Sequence, residues 1–188
     1  KIAVTGGSSV ASLKDYLAPN TVLSETEFLA ARGGMGDEMT FQANTIVAKF
    51  AKRCGATYRT LFLPEHLSEQ AYEAMQHEPI IQEMIAQYEQ VNIVVHGIGA
   101  AYEMVKRRNS SQLEQQTLDE KGAIGEAFGY YFNEEGDIVH YIRTIGIQLE
   151  QVNIARHVIA IAAGVNKATA IQAYFKNAAA QTILITDE

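Results

Sequence analysis

The sequence has a single cysteine, Cys54, so no disulfide can form within the chain. Such usage suits a reducing compartment, and a cytoplasmic protein is expected. Cys54 stands at the end of an apolar helical face, where a buried, inert thiol is expected. Positive charge is also scarce, and the formal net charge is -7. The overall field therefore speaks against DNA binding by this stretch, because nucleic-acid modules present a basic face. An anionic small molecule could still sit in a local basic pocket. No apolar run reaches about 18 residues, the length a membrane-spanning helix needs, and no signal peptide is visible. Also missing are a nucleophile elbow, a P-loop and a dinucleotide fingerprint with its distal acid. His66, His77, His96, His140 and His157 show no metal-ligand spacing, so neither a metal nor a cofactor is expected. The chain opens with Lys1 rather than Met, already inside a strand-like run. The expectation is a domain excised from a longer protein.

What is present fits one domain of ordinary size, residues 1–188. An apolar fraction of 47% and a charged fraction of 20% are those of a soluble globular chain. The stretch Thr5-Gly6-Gly7-Ser8-Ser9 follows the apolar run Ile2-Ala3-Val4 and precedes a helical pattern from Val10 to Leu17. Two readings stand. Glycines and hydroxyls at a helix start can cradle a phosphate. An ordinary strand-to-helix turn with a serine N-cap has the same residues.

The same order recurs along the chain. Phe28–Ala31 reads as a strand ending in the glycine-rich turn 32–37. A helix follows through Ile46, Val47, Phe50, Ala51 and Cys54, with Gly55 placed to end it. Tyr58–Leu63 reads as a strand stopped by Pro64. Ser68 can cap one short helix, and Pro79 opens a second whose apolar face is Ile80, Ile81, Met84, Ile85 and Tyr88. Val91–Val95 is a buried strand running into a third glycine turn, His96-Gly97-Ile98-Gly99. A helix through Tyr102–Arg108 follows, and then a capping box, Ser111-x-x-Glu114, opens a helix closed by Lys121-Gly122. Ala127–Phe132 and Ile138–Ile142 read as two strands of a hairpin around the turn 133–137. His157–Ala162 is a strand ending at Ala163-Gly164. A helix with Ala168, Ile171, Tyr174 and Phe175 on one face comes next, and Thr182–Ile185 is the last strand.

Strands alternating with helices predict an α/β fold: a mainly parallel sheet covered on both faces, with the inserted hairpin at an edge or on a small lobe. In such sheets ligands bind beyond the carboxyl ends of the strands, so the glycine turns would share one edge. Arg32 and Lys167 stand beside such turns, as ligand cations or as ordinary surface charges. For Lys106 and Arg108 a solvated helix end is expected. Glu126, between glycines at a strand start, could accept hydrogen bonds from sugar hydroxyls or act as a general base.

These residues resemble the C-terminal effector-binding domain of the SorC family of sugar-binding bacterial transcription regulators, in its branch that represses central glycolytic genes. The stretches that carry the likeness are 4–9, 30–34, 41–45, 96–99, 106–108, 121–132, 144–146, Ala163-Gly164 with Lys167-Ala168, and 185–188. The resemblance implies a Rossmann-like fold related to ribose-phosphate isomerase and glucosamine-phosphate deaminase, without their catalysis. It implies a phosphorylated-sugar effector, chiefly fructose-1,6-bisphosphate, and an upstream DNA-binding domain absent from this chain. It further implies a homodimer or tetramer that meets operator DNA only through that domain. Carried onto this sequence, Gly6, Gly7, Ser8 and Ser9 would hold one phosphate with help from Lys167 and Arg32. Arg107 would take the other phosphate, Glu126 would bind sugar hydroxyls, and Gln42 would line the site. Family members usually have two threonines where this chain has Ser8-Ser9, so two methyl contacts are lost. Rival readings are a sugar-phosphate isomerase or deaminase, which lacks a partner for Glu126, and a dimerisation module without a ligand.

Overall fold

In the computed structural model, which describes residues 1–34 and 39–187, the chain is organised about a short central strand, β1 (Ile2–Val4). β1 pairs in parallel with β2 (Glu27–Ala30) on one side, Ile2 facing Phe28, and with β4 (Ile93–Gly97) on the other, Ile2 facing Ile93. β3 (Thr57–Arg59) extends the sheet beyond β2, while β9 (His157–Ile161) and β10 (Thr182–Ile185) extend it beyond β4. The order is therefore 3-2-1-4-9-10, all parallel. Buried residues such as Ala3, Val4, Leu29, Val94 and Val158 fill strands covered on both faces. Right-handed crossovers running outward in opposite directions from β1 and β4 put their helices on opposite faces. The gap beyond the ends of β1 and β4 is the point where the winding reverses, which is where open α/β sheets bind ligands.

α1 (Ser8–Ser12) follows β1 and tightens into a 3-10 turn at Leu13–Asp15. α2 (Ala43–Cys54) buries Ile46, Val47, Phe50, Ala51 and Cys54, with the Phe50 ring edge-on to Phe28 at 6.0 Å. Gly55, at φ 64, ends it in the left-handed conformation, its N–H donated to Ala51. The strand expected over 58–63 is shorter. The side chain of buried Asn44 donates to the Leu61 carbonyl at 3.0 Å and accepts the Leu61 N–H at 2.7 Å. That pair takes the Leu61 backbone away from the ladder, so β3 stops at Arg59.

α3 (Glu69–Gln76) carries the expected Ser68 cap, and α4 (Pro79–Tyr88) the expected proline start. Ile80 departs from its expected apolar face: it is 74% exposed, while Ile81, Met84 and Tyr88 are buried. The Tyr88 hydroxyl donates to the Ala30 carbonyl at 2.6 Å and pins α4 to β2.

A second, antiparallel sheet comprises β5 (Gly99–Ala100), β6 (Gly125–Ala127), β7 (Tyr130–Phe132) and β8 (Ile138–Tyr141). Its own small core holds Ala101, Leu118, Tyr131 and Ile142, covered by α5 (Ala101–Arg107) and α6 (Gln112–Glu120). Two expectations are corrected here. First, His96–Gly99 is not a tight turn: β4 continues through Gly97, and the chain passes directly into β5 and the other sheet. Second, Ala127–Phe132 is not one strand. Ala127 pairs with Tyr130, and Phe128 (φ 56) with Gly129 (φ 83) forms a two-residue hairpin turn. Positive φ at both turn residues matches the twist of hairpin strands.

α7 (Leu149–Ile154) precedes β9. After β9, a 3-10 turn at Val165–Lys167 leads into α8 (Ala168–Tyr174). α8 buries Ala170 and Ala173, so its inner face is offset from the expected one, and Ala168 and Phe175 face outward.

Candidate functional site

The carboxyl ends of β9, β4, β1 and β2 stand side by side, because those four strands are adjacent and parallel. The first turn is tightly built. Gly7, at φ 124, donates its N–H to the Phe41 carbonyl at 2.8 Å. A Cβ on Gly6 would lie 2.6 Å from that same oxygen, so close backbone approach requires glycine there. Gly7 is the N-cap residue and no side chain caps the helix. The serine N-cap reading is therefore corrected: Ser8 and Ser9 are the first helical residues, and neither hydroxyl closes the helix end. Thr5 is buried and ties the first turn to the end of β4. Its hydroxyl donates to the Gly6 carbonyl at 3.1 Å and accepts the Gly97 N–H at 3.3 Å.

The expected residues around this turn form a circuit. Lys167 donates its ammonium to the Ser9 hydroxyl at 3.5 Å. Its neighbour Asn166 donates a side-chain N–H to Glu103 on α5. Arg107, one helical turn further along α5, stands with its guanidinium carbon 6.0 Å from the centre of the Phe41 ring. Phe41 returns the circuit to Gly7. The circuit thus has a cation at each of two separated points, Lys167 and Arg107, with hydroxyls and backbone between them. Gln42 is the N-cap residue of α2 beside Phe41, its side chain lying against Gly34 rather than closing the helix. Of the second glycine turn, Met35, Gly36 and Asp37 lie outside the described residues.

Arg32 and Glu126 belong to a deeper cluster, and the structure adds two residues to it. Arg32 is 5% exposed, and among the described residues none of its three guanidinium nitrogens has a hydrogen-bond partner. Glu65 and Glu126 each approach it to 3.9 Å, an ion-pair distance too long for a hydrogen bond. Burial pulls the Arg32 guanidinium below its usual pKa, and the two carboxylates oppose that pull. Glu126 is buried and accepts the Gly129 N–H and an N–H of Arg108, the latter at 3.3 Å. Arg108 also donates to Glu65 at 3.0 and 2.7 Å and to the Tyr131 hydroxyl at 3.0 Å. Burial raises the cost of the Glu65 charge, yet Arg108 and Arg32 outweigh it and hold the carboxyl below its usual range.

Arg108 is thus no solvated helix end: its side chain is 11% exposed and it joins Glu65 to β6 and β7. Lys106 is exposed, as expected, with its ammonium 5.7 Å from the Tyr102 ring centre. The two arginines and two glutamates cancel in charge, and among the described residues Arg32 is ion-paired at 3.9 Å without a hydrogen bond. Buried polar groups are ordinarily paired, which sets this guanidinium apart from Arg108.

Among the described residues, Glu65, Glu126 and the nearby His96 are already held by hydrogen bonds. His96 is fully buried, its Nδ1–H donating to the Gly97 carbonyl at 3.0 Å. Its Nε2 then accepts from the Tyr174 hydroxyl at 3.1 Å. Burial lowers its pKa to about 4, so it is neutral at physiological pH. Among the described residues, no group of histidine, cysteine and acidic side chains could hold a metal ion. No helix among them is long and apolar enough to cross a membrane. Two hollows outside the circuit share Tyr72 and Gln148. The Gln148 side chain is already committed, accepting from the Tyr130 hydroxyl at 2.9 Å and donating to the Gly146 carbonyl at 3.0 Å.

Comparison with known proteins places this geometry. A family model described as "Putative sugar-binding domain" matches residues 1–188. The chain is 41% identical over 187 residues to the central glycolytic genes regulator of Bacillus subtilis, covering all of this chain and 55% of that protein. It is 42% identical to the regulator of the same name from Priestia megaterium, of which it covers 54%. The chain thus spans about half the length of these curated relatives. A crystal structure of a SorC family transcriptional regulator from Enterococcus faecalis superimposes with a TM-score of 0.89 at 44% identity, over all of this chain and 76% of that one. The full-length sorbitol operon regulator SorC from Klebsiella pneumoniae shares the fold, with a TM-score of 0.86 at 18% identity, over all of this chain and 62% of that one. The chain belongs to the sugar-binding domain family, in the form carried by SorC-type transcriptional regulators.

Proposed function

We propose that this domain is the effector sensor of a repressor of glycolytic genes and that its effector is a phosphorylated sugar, fructose-1,6-bisphosphate first among them. The observation that carries the reading is the circuit with cations at two points: Lys167 with Ser9 at one, Arg107 over Phe41 at the other. One phosphate would sit on Gly6, Gly7, Ser8, Ser9 and Lys167, and the second on Arg107. Arg32, Glu126 and Gln42 would meet the sugar and the inner phosphate oxygens. A charge-assisted hydrogen bond contributes about 1.5–3 kcal/mol, and micromolar affinity requires about 8 kcal/mol. Several of these groups must therefore act together.

In this reading, binding shifts the protein between two states of different affinity for the ligand, with no chemistry. A DNA-binding domain elsewhere in the protein would respond through a change in how subunits of a dimer or tetramer associate in the cytoplasm. The rival, an isomerase or deaminase, needs an acid–base pair at the sugar carbons. Glu126 is already held by Gly129 and Arg108, and His96 by Gly97 and Tyr174, which favours a sensor over an enzyme. Calorimetric titration with fructose-1,6-bisphosphate, run beside an assay for its conversion, tests the proposal. Saturable binding of unchanged ligand is expected. Conversion would establish the rival, and no binding of any sugar phosphate would leave a dimerisation module.

A further inference from the structure

The Val165–Lys167 turn is held by polar contacts rather than by burial, among them Asn166 with Glu103 and Lys167 with Ser9. Its one apolar side chain, Val165, is 93% exposed, so burial does not fix it. Gly164, at φ 106, sets its direction, and the Lys167 N–H closes it on the Gly164 carbonyl at 2.9 Å. The Gly164 N–H is shared between the two carboxylate oxygens of Asp187, at 3.1 and 3.0 Å. Asp187 is itself well placed. The Ala162 N–H donates to the Ile185 carbonyl at 3.1 Å, carrying the ladder one pair beyond β9 and β10. The Thr186 hydroxyl also donates to Asp187, at 3.3 Å. The 185–188 stretch carries part of the family likeness, yet none of Ile185, Thr186 and Asp187 enters the circuit.

We propose that Asp187 is a positioning residue for the anion site, fixing the Gly164–Lys167 turn so that the Lys167 ammonium reaches Ser9. The inference rests on the phosphorylated-sugar reading of that site. It runs against the simple electrostatic expectation. A carboxylate near Lys167 repels an anionic ligand, so a bystander Asp187 would weaken binding and its removal would tighten it. A positioning Asp187 has the opposite consequence, because a mobile Lys167 must be ordered by the ligand at the ligand's cost.

The test compares Asp187→Ala with Asp187→Asn, which keeps one acceptor oxygen and loses the charge. Binding of fructose-1,6-bisphosphate and of inorganic phosphate is measured by calorimetry, and exchange of the Gly164 amide by NMR without ligand. Asp187→Ala is expected to speed Gly164 exchange and weaken binding about five- to ten-fold, while Asp187→Asn stays within about two-fold of wild type or binds more tightly. In a Lys167→Ala background, Asp187→Ala should add no further loss, because its effect passes through Lys167. Unchanged or tighter binding by Asp187→Ala, or a loss that persists without Lys167, would overturn the proposal. Failure of the wild type to bind either probe would sink the effector reading instead. Gly164 exchange would then still decide whether Asp187 holds the turn, and unchanged exchange would overturn that too.

Discussion

Arg107 and Arg108 are neighbours with opposite roles. Arg107 is exposed at the rim of the circuit, and Arg108 is locked between Glu65, Glu126 and Tyr131. Arg107→Ala should weaken sugar-phosphate binding about ten-fold, equal to about 1.4 kcal/mol, with unfolding by denaturant unchanged. Arg108→Ala should do the reverse first and destabilise the fold. It leaves Glu65 and Glu126 facing Arg32 alone. Breaking a fully buried pair costs about 3–5 kcal/mol, and with the Glu65 side chain 36% exposed a loss of about 2–3 kcal/mol is expected. Equal stability of the two variants would refute the division. Sequence pattern offered no means of telling these arginines apart. Arg108's partner Glu65 lies 43 residues away, and a helix end rich in Lys and Arg also satisfies the helix dipole.

His96 carries the pH dependence at the same scale. Its folded pKa of about 4 lies below the unfolded value of about 6.5, so between those values the unfolded chain binds the extra proton. Stability from neutral His96 is therefore complete above about pH 6.5 and is lost as pH falls towards 4, a change of up to about 3 kcal/mol. Glu65, held below its usual range, loses its contribution only at still lower pH. Thermal unfolding of the wild type from pH 7 to 4.5 should show a falling midpoint, and His96→Gln should flatten that slope. A wild-type midpoint constant over that range would contradict a buried neutral imidazole.

At the scale of elements, the Phe128-Gly129 turn joins the fold to the cluster. A two-residue turn with positive φ favours Asn or Gly first, and Phe128 breaks that preference. Phe128 is buried against the His96 ring, 4.3 Å between centres, and tertiary packing holds what local preference would reject. This is why the hairpin was hidden: a sequence reading sees an apolar run broken by one glycine. The elements set by local patterns were legible, among them α2 with its Gly55 stop, the Ser68 and Pro79 helix starts, and the 138–142 return strand. Those set by distant partners were not, as with β3 cut short by Asn44. Gly129 is doubly constrained, since a Cβ there would also overlap the Arg32 guanidinium. Gly129→Ala should therefore cost about 1–3 kcal/mol for its backbone conformation and weaken ligand binding by displacing Arg32. Denaturant unfolding and calorimetry on one sample check both. Lost stability with unchanged affinity would place Arg32 outside the ligand site.

At the scale of the whole molecule, the small sheet shares the main core through Ala127, Phe128 and Phe132, and the circuit spans elements of both sheets. Ser9 and Lys167 follow strands of the parallel sheet, while Glu103 and Arg107 lie on α5, which covers the small sheet. Beyond the Arg108–Glu65 pair at its C-terminal end, α5 is tied into the circuit by the Asn166–Glu103 hydrogen bond and the Arg107–Phe41 contact. Both involve exposed or half-buried groups, and such contacts are individually worth about 1 kcal/mol or less. A bisphosphate gripping Lys167 and Arg107 would add a link between the two sides of the circuit, where these two contacts are individually weak. A ligand that binds only the folded state adds about 2.7 kcal/mol of stability at a hundred times its Kd. That gain should appear where the sheets meet. Hydrogen exchange with saturating fructose-1,6-bisphosphate should slow in residues 101–108, 164–168 and 6–11, and stay unchanged in β3 and α3, which touch none of the circuit. Protection confined to 6–11 and 164–168 would mean a single phosphate held at Lys167, with Arg107 outside the site. The effector would then be a monophosphate, and coupling between the sheets would have to come from elsewhere in the fold.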